Sequence, residues 1–282
     1  MNALYLVAII LGISGQDIVK KPYLRKTGGK GIYVFGLITG VTAMLFFVVT
    51  SRSLTFDVRV LPYAAAFAVS YAVSTVASVA AVSCGSLSLT SLIVSYSLML
   101  PTVYGLVFLH DPIGVGLIPG LVLLGASLIL INRKDKSIRF SLRWVISVTL
   151  AFLGNGMCSV VQKMEQVRFD GAYKNELMIE ALLIVTLLVL VMSLKEEHKD
   201  LGQYIKSSWY YGVISGVLNG MVNLFAMVLC GRMPVSLMFP LISAGGIIVT
   251  YLVSRFLYKE KLTKTQFAGF FLGIVAVALL NV

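Results

Sequence analysis

Asn155, Ser159 and Gln162 recur at i, i+4 and i+7 inside an uncharged run, and Asn219 and Asn223 repeat the i, i+4 spacing in another. On a helix each set falls on one face. Polar groups at membrane depth are costly unless paired or wet, so such faces are the first candidates for a solute pathway; their other use is to bond neighbouring helices. Gln16 and Asp17, near the end of the first apolar run, and Tyr71, Ser95 and Tyr96 extend the candidate set. Asp17 could carry a coupling proton. Its i, i+4 spacing to Lys21 equally describes an ion pair at the headgroup level, the reading its position favours. Ser95 reads as bonded to a carbonyl of its own helix, and Glu180 as a side chain that snorkels to the outer surface.

Enzyme signatures are missing. There is no HExxH, no Gly-Lys-Ser/Thr phosphate loop and no GxSxG, and His110 and His198 stand far apart with no Cys beside them. No cofactor or metal is expected, and ATP-driven pumping by this chain is excluded as a reading. Cys84, Cys158 and Cys230 are odd in number and fit neither a disulfide framework nor a metal site, so they read as small packing residues.

The elements that hold these residues follow from composition. Of 282 residues, 58% are hydrophobic and 12% charged, against about 45–50% and about 25% in a soluble domain. With a mean hydropathy of +0.93 the chain is neither a water-soluble globule nor disordered. Runs nearly free of charge lie at about 3–16, 31–51, 60–109, 113–132, 144–162, 177–194, 207–231, 233–254 and 265–282. A span takes about 20 residues, so the run from Val60 to Leu109 must fold back, most simply at Cys84-Gly85-Ser86. The expected fold is all-α and polytopic, with ten transmembrane helices. Tyr5, Tyr23, Tyr33, Trp144, Tyr173, Trp209 and Tyr258 fall near the predicted ends, where the headgroup region suits them.

The 23 basic against 12 acidic residues would suggest nucleic acid in a soluble chain, but here they sit in bursts between apolar runs, so no nucleic acid is expected. Connections 1–2, 5–6, 7–8 and 9–10 hold 17 of them and the rest of the chain 6. That bias places these connections in the cytoplasm and both termini outside, with the first run retained as a helix because no basic n-region or cleavage site accompanies it.

A shift of 142 places Gly12 on Gly154, Val19 on Val161 and Lys21 on Lys163, and puts Ser70, Ser74 and Ser78 on Gly212, Gly216 and Gly220. A shift of 149 puts Gly120 on Gly269 and Asn132 on Asn281. Residues 1–138 and 139–282 therefore read as two copies of a five-helix unit. Five is odd, so the second copy enters the membrane inverted, the arrangement of secondary transporters. The small-residue stripes read as packing surfaces. Lys21 and Lys163, matched by the repeat, would stand near opposite mouths of a cavity, either receiving an anionic solute or anchoring helix ends; anchoring is the favoured reading.

The last fifty residues carry a resemblance. The entry Pro234-Val235-Ser236, the turn Lys259-Glu260-Lys261-Leu262 and the final-helix residues Gln266, Gly269 and Gly273 resemble the closing helix pair of the EamA family in the drug/metabolite transporter superfamily. In the first half the equivalent turn reads His110-Asp111-Pro112-Ile113, a departure from that pattern. The resemblance implies ten helices in inverted repeats, a central cavity between the repeats and alternating access; its commoner arrangement has cytoplasmic termini, against the charge count, which is kept. The expected function is a secondary transporter of a small metabolite or drug-like solute in the cell membrane, not an enzyme. Its partners would be that solute and the lipid bilayer, with a homodimer left open. The alternative is a membrane scaffold or sensor subunit that transports nothing.

Overall fold

The computed structural model describes residues 2–28, 30–51, 57–84, 93–94, 96–112, 114–132, 141–252 and 264–280. Among the described residues there is helix and no strand: α1 (Asn2–Lys26), α2 (Ile32–Thr50), α3 (Leu61–Cys84), a 3-10 turn (Tyr96–Leu98) running into α4 (Met99–Phe108), α5 (Leu117–Asn132), α6 (Leu142–Arg168), α7 (Lys174–Glu196), α8 (Leu201–Cys230), α9 (Val235–Leu252) and α10 (Lys264–Leu280). Five segments are long and apolar enough to cross a membrane, namely Ile32–Thr50, Leu61–Ser78, Leu142–Arg168, Lys174–Glu196 and Trp209–Cys230, and five shorter helices are apolar as well. These helices are compatible with a multi-pass membrane protein. Their surface agrees: α7 exposes Leu183, Leu187 and Val191 at i, i+4 and i+8 while burying Leu177, Ala181, Leu182 and Val185. A continuous outward apolar stripe is favourable only where hydrocarbon replaces water.

The chain divides into two compact units, Met1–Val69 with Met164–Gly231 and Ser70–Lys163 with Arg232–Val282. In the first, α8 packs against α1, α2 and α7. Its stripe of Gly212, Gly216 and Gly220 receives Ile38, Thr42 and Phe46 of α2 so closely that added Cβ atoms would stand 2.7, 2.5 and 2.5 Å from them. This is the packing use of small residues. On α2, Gly40 faces Thr186 of α7 in the same way, at 2.7 Å.

Both ends of the α2–α7 pair are tied. Glu197, just past α7, accepts the backbone N–H groups of Tyr33 and Val34 at 3.2 and 2.9 Å, filling the orphan donors at the start of α2. At the other end Arg59, past α2, pairs with Asp57 and donates to the Tyr173 hydroxyl at the start of α7, 3.3 Å away. The two helices are therefore antiparallel. Hydrogen bonds from the side chain and backbone of Arg59 hold the Asp57 carboxyl well below the usual carboxylate range. Gly31 has φ 73°, and a Cβ there would meet the Tyr23 hydroxyl at 2.5 Å, so both backbone and space demand glycine.

In the second unit α10 lies along α5, with the Ser127 hydroxyl donating to the Gly269 carbonyl at 2.6 Å and Gly116 against the Leu279 backbone. The early part of one helix meets the late part of the other, so this pair too is antiparallel. α9 packs on α4, and Asp111, past the end of α4, accepts the Ser236 N–H at 3.1 Å at the start of α9. α3 meets α6 where Ser74 donates to the Ala151 carbonyl, 3.3 Å away, and where Ala81 packs with Trp144 and Val148.

Helix boundaries and two aromatic positions differ from expectation. α1 continues to Lys26, past the expected end near residue 16, because Lys and Arg extend a helix readily and Tyr23 is buried against Phe35, ring centres 4.7 Å apart. α8 begins at Leu201, six residues before the expected run. Tyr23 and Trp144, 1% and 3% exposed, are core residues and not headgroup anchors, whereas Trp209 is 53% exposed as an interfacial ring should be. The break after Cys84, Ser95, the boundary at residue 138, Tyr258 and the 259–262 turn lie outside the described residues.

Candidate functional site

Two polar constellations sit on the helices that sequence reasoning singled out. In the first unit, Asn223 donates to the Asn219 side-chain oxygen at 3.1 Å and to the Asn219 carbonyl at 3.0 Å, and Asn219 donates to Gln16 Oε1 at 3.2 Å. Gln16 in turn reaches back to the Gly12 carbonyl, 3.5 Å away. The result is a chain of amides from α8 to α1, each half-buried. It exists because the i, i+4 spacing stacks Asn219 over Asn223, and because Gly12 and Gly15 let α1 approach Val222 and Leu218. Amides have donors and acceptors in equal number, so such a chain leaves groups to offer a solute after bonding itself.

In the second unit, Asn155 donates to the Ser97 hydroxyl at 2.6 Å. Ser97 is fully buried. The Tyr96 hydroxyl donates to the Gly125 carbonyl, and a narrow cleft, with room for about one water, is lined by Tyr96, Leu98, Met99, Leu121, Leu124, Pro240 and Ser243.

The structure thus brings together Gln16, Asn219 and Asn223 in one place and Asn155 with Ser97 in another. Ser159 is half-buried one turn from Asn155, and Gln162 is 4% exposed. Tyr71 is 37% exposed. Asp17 and Lys21 lie on α1, with side chains outside the described residues. Lys163 is 9% exposed, on α6 five residues before Arg168. Cys158 and Cys230 are buried and in no disulfide.

Glu180 also departs from expectation. Both of its carboxylate oxygens are buried and have no hydrogen-bond partner, so it does not snorkel. Sequence reasoning missed Glu165, fully buried on α6, whose Oε2 accepts from Gln166 at 2.6 Å while Oε1 meets no donor. Its position three residues before a helix end disguised it as an interfacial acid. Also missed was a short repeated motif, Ser97-Leu98-Met99-Leu100-Pro101 and Ser236-Leu237-Met238-Phe239-Pro240. Pro101 and Pro240 lack the N–H that would bond four residues back, so in both copies the serine carbonyl is released inside an apolar segment. Ser97 is the acceptor for Asn155, and Ser236 is held by Asp111.

No protein-family model and no curated protein matches the chain. Among solved structures 29 chains match. One of them, described only as "Crystal structure of protein", is 13% identical, with a TM-score of 0.81 over 99% of this chain and 95% of that one. At that identity the likeness is one of fold alone.

Proposed function

We propose that the chain is a secondary transporter of the drug/metabolite transporter kind, built from two inverted five-helix repeats and moving a small metabolite or drug-like solute across the cell membrane by alternating access. The observation that carries the reading is the antiparallel packing of helices five apart in order. α2 with α7, α4 with α9 and α5 with α10 each join equivalent helices of the two halves, and each pair runs in opposite directions. Inversion of an odd-numbered repeat requires this, because equivalent helices then cross the bilayer in opposite senses. The exchange extends to α1 on α8 and α6 on α3, where the matched Gly12 and Gly154 both lie at close helix crossings. The amide chain of Gln16, Asn219 and Asn223 supplies polar groups on two such helices, where intramembrane polarity is most often functional.

The test is flux. Purified protein in proteoliposomes, screened first by thermal shift against metabolites, should accumulate the solute that stabilises it, since a ligand at about 100 times its Kd adds about 2.7 kcal/mol. A solute that stabilises the protein but is never carried across favours the scaffold or sensor reading.

A further inference from the structure

The surface of the α1–α8 pair changes character along its length. On α8, Lys206, Tyr210, Ile214 and Val217 follow at i, i+4, i+8 and i+11, so they share one face, and all four are exposed. α1 runs antiparallel to α8, with Gln16 on Asn219 and, at its far end, Lys26 on Tyr210. The exposed Lys26 ammonium donates to the Tyr210 hydroxyl at 3.5 Å and stands 5.5 Å from the centre of its ring. Cations from two helices therefore meet at the tyrosine that heads an apolar stripe. Trp209, its ring centre 6.3 Å from that of Tyr210, is exposed and begins the part of α8 apolar enough to cross a membrane.

A ladder of rings fixes this end of the pair. Tyr210 packs on Tyr211 with ring centres 4.2 Å apart, and Tyr211 meets Tyr23 edge to face at 6.4 Å. Tyr23 is buried and donates its hydroxyl to the Gly31 carbonyl, which ties down the chain leaving α1.

The charge here is positive. Lys30 is exposed just past α1, and the last two turns of α1 carry Lys20, Lys21 and Arg25. The acids of this end are engaged or lie elsewhere. Glu197 accepts the Tyr33 and Val34 N–H groups, Asp200 is bonded to the Tyr204 hydroxyl, and Glu196 closes α7 beside Lys195. A soluble anion would meet the cations and leave the indole, Ile214 and Val217 uncovered. A phospholipid covers both, its phosphate on the cations and its chain on the apolar residues, with the amphipathic rings at headgroup level.

We infer that the paired ends of α1 and α8 form a site for one anionic phospholipid, its phosphate held by Lys26 and Lys206 and an acyl chain lying along Tyr210, Ile214 and Val217. The site needs only the membrane setting of these helices and stands whether or not the chain carries a solute.

Tryptophan quenching by lipids brominated in their acyl chains tests it, on the full chain in phosphatidylcholine bilayers containing a minor fraction of phosphatidylglycerol. Trp209 is exposed and the other tryptophan, Trp144, is buried; a Trp144→Phe background leaves Trp209 as the sole reporter. Brominated phosphatidylglycerol should quench beyond its mole fraction. Lys26→Gln and Lys206→Gln should each weaken its binding relative to phosphatidylcholine about fivefold. Lys199→Gln, an equal loss of charge before α8, should leave it unchanged. Quenching that follows mole fraction alone in the unsubstituted chain overturns the site, whatever the variants do. Full binding in both Lys26→Gln and Lys206→Gln also overturns it, as does an equal loss in Lys199→Gln, which would put net charge in place of the stripe. Displacement of the lipid by inorganic phosphate, beyond that by chloride at the same ionic strength, would make the ligand a soluble anion and overturn the lipid site.

Discussion

Gly154 of α6 presses on the backbone of α3: a Cβ there would stand 2.8 Å from Ser74 N and 2.7 Å from Ser70 O. Its repeat partner Gly12 meets side chains instead, with Val222 Cγ2 at 2.5 Å and the flexible Met221 Cε at 3.0 Å. Side-chain ends can move and backbone in a helix cannot. Gly154→Ala should therefore cost about 1–3 kcal/mol, the usual range for overpacking, and Gly12→Ala distinctly less. Unfolding temperatures of the two variants in the same detergent decide it; equal losses would contradict the geometry.

Asp111 places a carboxylate on the Ser236 N–H at the start of α9, where the helix end is partly positive. Asp111→Ala should lose about 1 kcal/mol, and Asp111→Asn, which keeps an acceptor, less. His110 enables this by taking φ 54°, so that Asp111 N can bond back to the Gly105 carbonyl at 3.0 Å. His110→Val, β-branched in a left-handed conformation, should destabilise by about 1 kcal/mol more than His110→Asn. Thermal unfolding of the four variants is the measurement.

The polar faces differ in access. Asn155, Asn219 and Asn223 are half-buried, whereas Gln162 is 4% exposed. In a background with Cys84, Cys158 and Cys230 replaced, cysteines at the first three positions should react with a small water-soluble thiol reagent and one at Gln162 should not. Leu182 and Val185, each 5% exposed, serve as protected controls. Protection at all four polar positions would assign the amides to helix bonding alone.

Local spacing explains what was legible in the sequence. The Gly212, Gly216, Gly220 stripe and the Asn219, Asn223 pair are periodic within one helix, so the face each shares needs no knowledge of neighbours. The Gln16 to Asn219 bond joins residues 203 apart, and sequence could nominate both ends but not join them. The burial of Glu165 and Glu180 was hidden because a carboxylate near a helix end is ordinarily solvated, and only the packing of this unit encloses Glu165 Oε1 and both Glu180 oxygens without a hydrogen-bond donor. The Asp111 turn, a departure from the EamA-like pattern, is a helix cap in three dimensions. Tyr23 misled for the opposite reason: a tyrosine beside a basic cluster reads as interfacial, yet it is buried with its hydroxyl on the Gly31 carbonyl.

Asp57 gives the structure an acid-sensitive element. Arg59 holds its carboxyl far below the ordinary 3.8, so the folded state prefers the ionised form more strongly than the unfolded chain does. Its contribution is fully present above the unfolded value and is lost only as pH falls below it, toward the folded value. Asp57→Asn should therefore be less stable than the wild type at neutral pH, with the gap closing in strong acid. A gap that stays constant with pH would show the pair to be without effect.

The last expectation joins charge to packing. Within the first unit, connection 1–2 meets connection 7–8 through Glu197 on Tyr33 and Val34, and connection 2–3 meets 6–7 through Arg59 on Tyr173. The basic count assigns the first pair to the cytoplasm, which leaves the second outside. Single cysteines at Lys30 and Lys199 should then resist an impermeant maleimide on intact cells and react after permeabilisation, whereas cysteines at Arg59 and Asp170 should react at once. All four positions are exposed, so accessibility reports sidedness and not burial. The reverse pattern would invert the orientation in favour of cytoplasmic termini, as the EamA resemblance implies, while leaving the pairing of connections intact. Labelling that separates Lys30 from Lys199 would break the pairing itself and with it the antiparallel arrangement of α2 and α7 on which the transporter reading stands.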